Sequence, residues 1–300
     1  MSQTPAPVAA EALRAQQRAE ALSSALPPLL VAAERVAATV AQGVHGRRRV
    51  GTGETFWQYR RYEPGDASTM IDWRQSAKTQ RVFVRENEWE AAQTAWLWSD
   101  ASPSMDWRSD RGLPTKRERA ELLVMALAVL LARGGERVAL LGGGQPPGTN
   151  RFALARMAMT LSGPGLGGDG LPSPAPLPRH AMLMLAGDLL SPLPDIHRVV
   201  SSFAARGLRG HLLQVLDPAE ETLPYDGRVE FAGLEGEEDL LVPRVEAVRA
   251  AYRERLEAHR AGLAALARAA GWSYAVHRTD RPPQSALLAL YGAVSQQPVG

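Results

Sequence analysis

The sequence predicts an α/β protein built on a mainly parallel sheet with helices on both faces. Three observations carry this. From Thr94 onward, short apolar runs alternate with helix-patterned segments, and that alternation builds a parallel sheet covered on both sides. The run Leu122–Leu131 is apolar nearly all round, as a helix buried inside such a fold must be. Two apolar runs end in oxygen-bearing side chains: Asp100, Ser102 and Ser104 follow Thr94–Ser99, and Asp188 follows Ala181–Ala186. Ligands of open α/β sheets bind beyond the carboxyl ends of the strands.

Composition bounds the function. The chain has 300 residues, of which 45% are hydrophobic, enough for a sizeable core. It has no cysteine, which excludes disulfides, zinc–thiolate and iron–sulfur centres and a cysteine nucleophile, and fits a reducing compartment. The net charge is only +2, so bulk electrostatics do not argue for nucleic acid. The N-terminal stretch lacks a charged segment followed by an apolar core, and no apolar run is long enough to span a membrane. The expectation is a soluble, cytoplasmic protein. Three regions are expected: an N-terminal helical arm over 1–42, a segment over 43–90 packed on the main domain, and the α/β domain over 91–300.

The arm is rich in Ala, Leu, Gln, Arg and Glu, all good helix formers. Pro27-Pro28 breaks it, leaving a second helix over 29–41, with Leu22, Leu26, Leu29, Leu30 and Val36 as the buried face. Its polar face is mixed in sign, which favours a packing arm over a membrane-surface helix. In 43–90, arginines and aromatics interleave, Pro64-Gly65-Asp66 signals a turn, and Arg81–Arg85 alternates like a strand. Stacking rings beside arginines suit single-stranded nucleic acid, here through 47–62. However, Glu54, Glu63, Asp66, Asp72, Glu86, Glu88 and Glu90 nearly balance the bases, so internal pairing is the favoured reading.

The α/β domain reads as follows. Thr94–Ser99 is a strand. Thr115 and Glu118 form a capping box opening a helix that runs to Arg133 and stops at Gly134-Gly135. A strand over 136–141, a helix over 152–161 and a Gly/Pro loop over 162–179 come next. Then follow a strand over 181–186, a helix over 194–206 and a strand over 210–216. Two short strands over 228–231 and 239–242 precede a long helix over 245–270, a strand over 273–277 and a helix over 284–294.

Asp100, Ser102, Ser104 and Asp188 form a candidate site for a hard cation, since Mg²⁺ takes oxygen ligands and keeps several waters. Asp169, in the Gly/Pro loop, is a candidate to reach the same edge. Acids and serines after strands also cap turns, and the residue pattern alone supports both readings equally. Other signatures fail. Gly142-Gly143-Gly144 follows a strand, but Pro147 stands where a dinucleotide motif needs its third glycine. There is no P-loop, HExxH or GxSxG. His180, His211 and His277 lie in or beside strands and read as core or edge residues.

The motif D-A-S-P-S-M at 100–105 resembles the D-x-S-x-S loop of von Willebrand factor A domains, and Gly187-Asp188 resembles the later Asp loop of their metal-ion-dependent adhesion site (MIDAS). The motifs G-x-G-E-x-F at 51–56, R-x-Y-x-x-G-D at 60–66 and I-D-W-R-x-S-A at 71–77 resemble the bacterial family called domain of unknown function 58. So do Asp217-Pro218-Ala219-Glu220-Glu221, Leu223-Pro224, Gly236, a helix bearing Tyr252, Gly271-Trp272 and Thr279-Asp280. The likeness spans about 43–293. It implies a three-layer α/β/α, Rossmann-like fold of the von Willebrand factor A type. It also implies a divalent cation, usually Mg²⁺ but in principle Mn²⁺ or Ca²⁺. Asp100, Ser102 and Ser104 would hold it, with Asp188 direct or through water. The open coordination position would accept a carboxylate from a protein partner, and such families are commonly encoded beside a MoxR-type AAA+ ATPase. One departure stands out: Gly167-Gly168-Asp169-Gly170 replaces the expected Thr-Asp, so Asp169 substitutes as ligand or the ion keeps more water.

The leading expectation is therefore a non-enzymatic, metal-dependent protein-interaction module acting with such an ATPase. The alternatives are a metal-assisted hydrolase at the same edge, with Asp169 or Asp106 as base, and single-stranded nucleic-acid binding through 47–62. Arg60, Tyr62, Gly65, Asp66, Asp72 and Trp73 read as a structural brace with a partner face.

Overall fold

The computed structural model describes residues 27–44, 55–62, 71, 73–78, 82–88, 94–163 and 170–296. The chain divides into two compact units, residues 47–93 and the remainder. In the smaller unit, β1 (Thr55–Arg61) pairs antiparallel with β2 (Phe83–Glu88), with an irregularity between Phe56 and Gln58. The run expected over 81–85 thus begins later and extends further, because pairing with β1 rather than local alternation sets its length. A single helical turn, Trp73–Ser76, is tied to β2 by the Phe83 amide donating to Ser76 Oγ at 2.9 Å.

Among the described residues the larger unit opens with α1 (Pro28–Val44), which starts at the second proline of Pro27-Pro28, a residue well suited to a helix start. Leu22 and Leu26, expected on its buried face, lie outside the described residues. Leu30, Ala33, Ala37 and Val40 recur at helical spacing and are buried together with Val36. They pack in one core with α2 (Lys116–Arg133). That explains why α2 is apolar all round: Leu123 to Leu131 are all buried, so the helix needs no polar face. Its start has both halves of the capping box, with Glu118 N–H donating to Thr115 Oγ1 and Thr115 N–H to the Glu118 carboxylate.

The sheet has five parallel strands in the order β4 (Arg137–Leu140), β3 (Thr94–Ser99), β5 (Met182–Gly187), β6 (Arg209–Leu216) and β9 (Ser273–Arg278). The connecting helices are α2, α3 (Arg151–Leu161), α4 (Leu193–Ala204) and α6 (Val245–Ala269); α7 (Pro283–Gln296) follows β9. Successive side chains of a strand point to opposite faces, and both faces are buried here. Met182, Met184 and Ala186 of β5 join the core with α1, α2, α3 and α7; Leu183 and Leu185 join a second core with α4 and α6. Gly210 in β6 is required by close approach: a Cβ there would lie 1.9 Å from the Trp272 ring.

Between β6 and α6 the chain makes an excursion. A short helix, α5 (Pro218–Thr222), is opened by a second capping box, Asp217 with Glu220. It is followed by an antiparallel ribbon, β7 (Val229–Phe231) and β8 (Leu240–Val242). Among the described residues, no helix is long and apolar enough to cross a membrane.

Candidate functional site

Strand order places the site. From β3 the chain passes through α2 to β4 on one side, then returns to β5 on the other. The order therefore reverses between β3 and β5, and a crevice opens beyond the carboxyl ends of strands at such a reversal. Asp100 follows β3 and Asp188 follows β5. The ladder holds Asp100 in place, because its amide donates to the Ala186 carbonyl at 2.8 Å. A Cβ on Gly187 would lie 2.8 Å from Asp100 Cβ, so only glycine lets the two loops approach this closely.

The four residues expected to converge do so. Asp100 and Ser102 are buried. Asp100 Oδ1 accepts from the Ser102 amide at 2.8 Å. Ser102 and Ser104 hydroxyls lie 3.2 Å apart, and Ser104 Oγ donates to Asp188 Oδ2 at 2.9 Å. Asp188 Oδ1 accepts from the Leu190 amide at 3.2 Å, and its backbone carbonyl accepts from Gln214 Nε2 at 2.9 Å. Asp100 Oδ2 is buried and has no hydrogen-bond partner among the described residues. A buried carboxylate oxygen without a donor is costly. Burial pushes the Asp100 carboxyl above its ordinary value; the Ser102 hydrogen bonds oppose this, and Asp188 and Glu235 add to the rise.

Three further residues belong to the cluster. Lys116 is 1% exposed, and its ammonium donates to Asp188 Oδ2 at 2.9 Å and to Glu220 Oε1 at 2.5 Å. Burial alone would push the Lys116 ammonium down, but Asp188 and Glu220 outweigh it and hold the group above the usual lysine value. Glu235 Oε1 accepts from the Ser104 amide at 3.3 Å. Asp188 and Glu220 thus share one ammonium, while Asp100 and Glu235 add further negative charge to the cluster. Lys116 was missed in the reading of the sequence; the one signal that could have found it is its place as the first residue of α2, where the helix dipole favours acids and disfavours a cation. Local rules are broken where function or a specific partner compensates.

Asp169 lies outside the described residues. Its neighbour Gly170 is close: a Cβ there would stand 3.9 Å from Asp100 Oδ2. Asp106 is not in the cluster; it is exposed and paired with Arg117 at 2.8 Å. Of the residues in the smaller unit, Tyr62 and Trp73 are exposed, Trp73 at 66%. Arg60 lies on β1, and Gly65, Asp66 and Asp72 lie outside the described residues. His211 and His277 behave as core residues, whereas His180 is exposed in the turn before β5 at positive φ. His211 Nδ1 meets Ser273 Oγ and His277 Nε2 meets Arg119, and burial lowers both imidazoles to about 4.

The donor set fits a hard cation in chemistry: two hydroxyls and two carboxylates, one of which has a buried oxygen without a partner among the described residues. Among the described residues, no group of three or more His, Asp or Glu side chains has the arrangement of a metal site. A cation here would therefore depend on the serine hydroxyls and on water, and would share Asp188 with Lys116.

The sequence profile of the family described as "Protein of unknown function DUF58" matches residues 58–262. The chain is 28% identical over 275 residues to the uncharacterized protein Rv1480 of Mycobacterium tuberculosis (strain H37Rv), covering 87% of this chain and 86% of the relative. The same figures hold for the uncharacterized protein Mb1516 of Mycobacterium bovis. Among solved structures, the chain is similar to the conserved hypothetical protein BatB from Bacteroides thetaiotaomicron. That match has 14% identity, a TM-score of 0.43, and covers 68% of this chain and 98% of the other. An aerotolerance-related membrane protein from Bacteroides fragilis matches with 15% identity and a TM-score of 0.41, over 68% of this chain and 100% of that one.

Proposed function

The chain belongs to the DUF58 family of proteins of unknown function, and from its strand-end cluster we propose a non-enzymatic, divalent-cation-dependent protein-interaction module of von Willebrand factor A-like fold. The observation that carries the reading is Asp100 Oδ2: buried, without a donor among the described residues, and gathered with Ser102, Ser104 and Asp188 at the reversal of strand order. Asp100, Ser102 and Ser104 would hold Mg²⁺ or a similar ion, with Asp188 direct or through water. Two neutral hydroxyls leave such an ion electrophilic, so that it supplies a coordination position for a partner's Asp or Glu.

What supports binding over hydrolysis is the engagement of Lys116 and Asp106; Glu235, which accepts from the Ser104 amide, is the exposed carboxylate left beside the cluster. Lys116 is committed to two carboxylates, and Asp106 is turned to Arg117. The fold reading is supported by the parallel five-stranded sheet, its two helical layers, and the D-x-S-x-S loop directly after a central strand. The family resemblance adds a MoxR-type AAA+ ATPase as the proposed partner. Co-purification that is lost with EDTA and with Asp100→Ala would support that pairing. The test of the cation itself is thermal: Mg²⁺ is expected to raise the melting temperature of the wild type and not of Asp100→Ala. An equal rise in both proteins would sink the reading.

A further inference from the structure

Beside the cluster runs a groove that the cation reading does not use. Its volume is about 1300 Å³, above the roughly 300–1,000 Å³ usual for small-molecule pockets. Ser104, Lys116 and Asp188 lie at one part of its lining. The rest comes from Leu190, Leu223, the β7–β8 ribbon through Phe231 and Leu240, and α6 through Val248 and Tyr252. Several of these apolar side chains are open to solvent: Leu240 is 62% exposed, and Leu190 and Val248 are each 42% exposed. Isolated apolar residues on a surface are ordinary; a contiguous lining in a groove marks an interaction site.

Charge identifies the occupant. The lining carries six acids, Asp188, Glu220, Glu230, Glu235, Glu237 and Glu238, against two bases, Lys116 and Arg255. Lys116 is already engaged by Asp188 and Glu220. Even with a divalent ion in the cluster, the groove keeps an excess of negative charge. Glu230 and Glu238 stand exposed on and beside the ribbon, with no ion-pair partner among the described residues. An acidic, apolar groove repels nucleic acid and suits a cationic protein segment, since complementary charge selects partners and speeds their encounter.

We propose that this groove docks a peptide segment of a partner protein, with aliphatic or aromatic anchors flanked by lysine or arginine. It deepens the interaction-module reading and shares its one assumption, that an acidic residue of the same segment reaches the cation. Apolar anchors supply the affinity, as buried hot-spot residues do elsewhere. The basic flanks meet Glu230, Glu237 and Glu238, and set the register along the ribbon.

The test uses a random-peptide phage library on the full chain, with Mg²⁺ or EDTA present. The comparison proteins are Glu230→Lys/Glu238→Lys, Leu240→Ser and Asp100→Asn. The three groove positions are exposed, so melting temperatures near the wild type check that these variants fold. Wild-type selections are expected to be rich in Leu, Ile or Phe beside Lys or Arg, in EDTA as well as in Mg²⁺. The charge-reversal variant should bind the best wild-type peptide at least about tenfold more weakly and select acidic flanks instead. Leu240→Ser should lose the apolar anchors. Identical flank preferences in wild type and charge reversal would overturn the proposal. So would concentration-dependent dimerisation abolished by Leu240→Ser, which would make a second copy the occupant. Failure of the cation reading looks different: basic, apolar peptides still win, but no Mg²⁺-dependent gain from an acidic residue appears and Asp100→Asn changes nothing.

Discussion

Replacing Lys116 by methionine keeps the length of the side chain and removes its charge, and the structure fixes what should follow. The ammonium is almost fully buried and bridges Asp188, just after β5, to Glu220 on α5. Without it, two largely buried carboxylates lose their shared counter-charge. Breaking a buried ion pair from one side typically costs about 3–5 kcal/mol. At roughly 2–3 °C per kcal/mol for a chain of this size, the melting temperature should fall by roughly 6–15 °C in EDTA. Lys116 also holds Asp188 Oδ2, the oxygen that a cation would share. Removing it should raise divalent-cation affinity by roughly ten- to a hundredfold, the size of a charge interaction worth about 1–3 kcal/mol in a partly solvated site. Differential scanning fluorimetry at several Mg²⁺ concentrations reads both effects. Adding Glu220→Gln should restore part of the lost stability by removing one of the stranded carboxylates. A variant that melts within about 2 °C of the wild type in EDTA would refute the claim that Lys116 balances this cluster.

Three other outcomes follow from the same geometry. Leu30→Ala removes a fully buried contact of α1 with the core around α2; urea denaturation should show a loss of about 2–5 kcal/mol, whereas breaking the exposed Arg151–Glu34 pair should change stability by less than about 1 kcal/mol. Gly187→Ala forces a methyl against Asp100, so it should destabilise by about 1–3 kcal/mol and weaken any Mg²⁺-induced rise in melting temperature. Glu121 is buried at the start of α2, and burial raises its carboxyl to about 7, with Arg117 opposing the rise. Because the folded value lies above the unfolded one of about 4.5, this group's contribution to stability is full below pH 4.5 and is lost as pH climbs through 7. Glu121→Gln should flatten that fall, worth roughly 3 kcal/mol, when its denaturation is compared with the wild type at matched pH. The buried His211 and His277 act in the opposite sense, losing stability as pH falls from about 6.5 to 4, and they cancel in that comparison.

Much of the frame was legible because it follows from local patterns. Thr94–Ser99 is a strand with the predicted ends, since an apolar run stops at Asp100. The capping box at Thr115 and Glu118 marks the start of α2 correctly, because its donors and acceptors are four consecutive residues. The meeting of Asp100 and Asp188 was legible from the strand-end rule, although the residues are far apart in sequence. Other features were not. The short helix α5 carries the same cap chemistry, Asp217 with Glu220, but Pro218 after the aspartate reads as a turn. Lys116 at a helix start reads as a solvated charge. Only the convergence of the loop after β5 and of α5 on its ammonium shows that two carboxylates meet it. Glu235 reaches Ser104 from 131 positions away, across an excursion whose path no local pattern fixes. The groove likewise forms only when the β7–β8 ribbon lies along α6.

The central claim is that Asp100 Oδ2, buried and without a donor among the described residues, is half of a cation site. Isothermal titration of the full chain with MgCl₂, in parallel with Asp100→Asn, tests it most directly. The account predicts saturable one-site binding to the wild type and none to the variant. No binding to either protein, or equal binding to both, would contradict it.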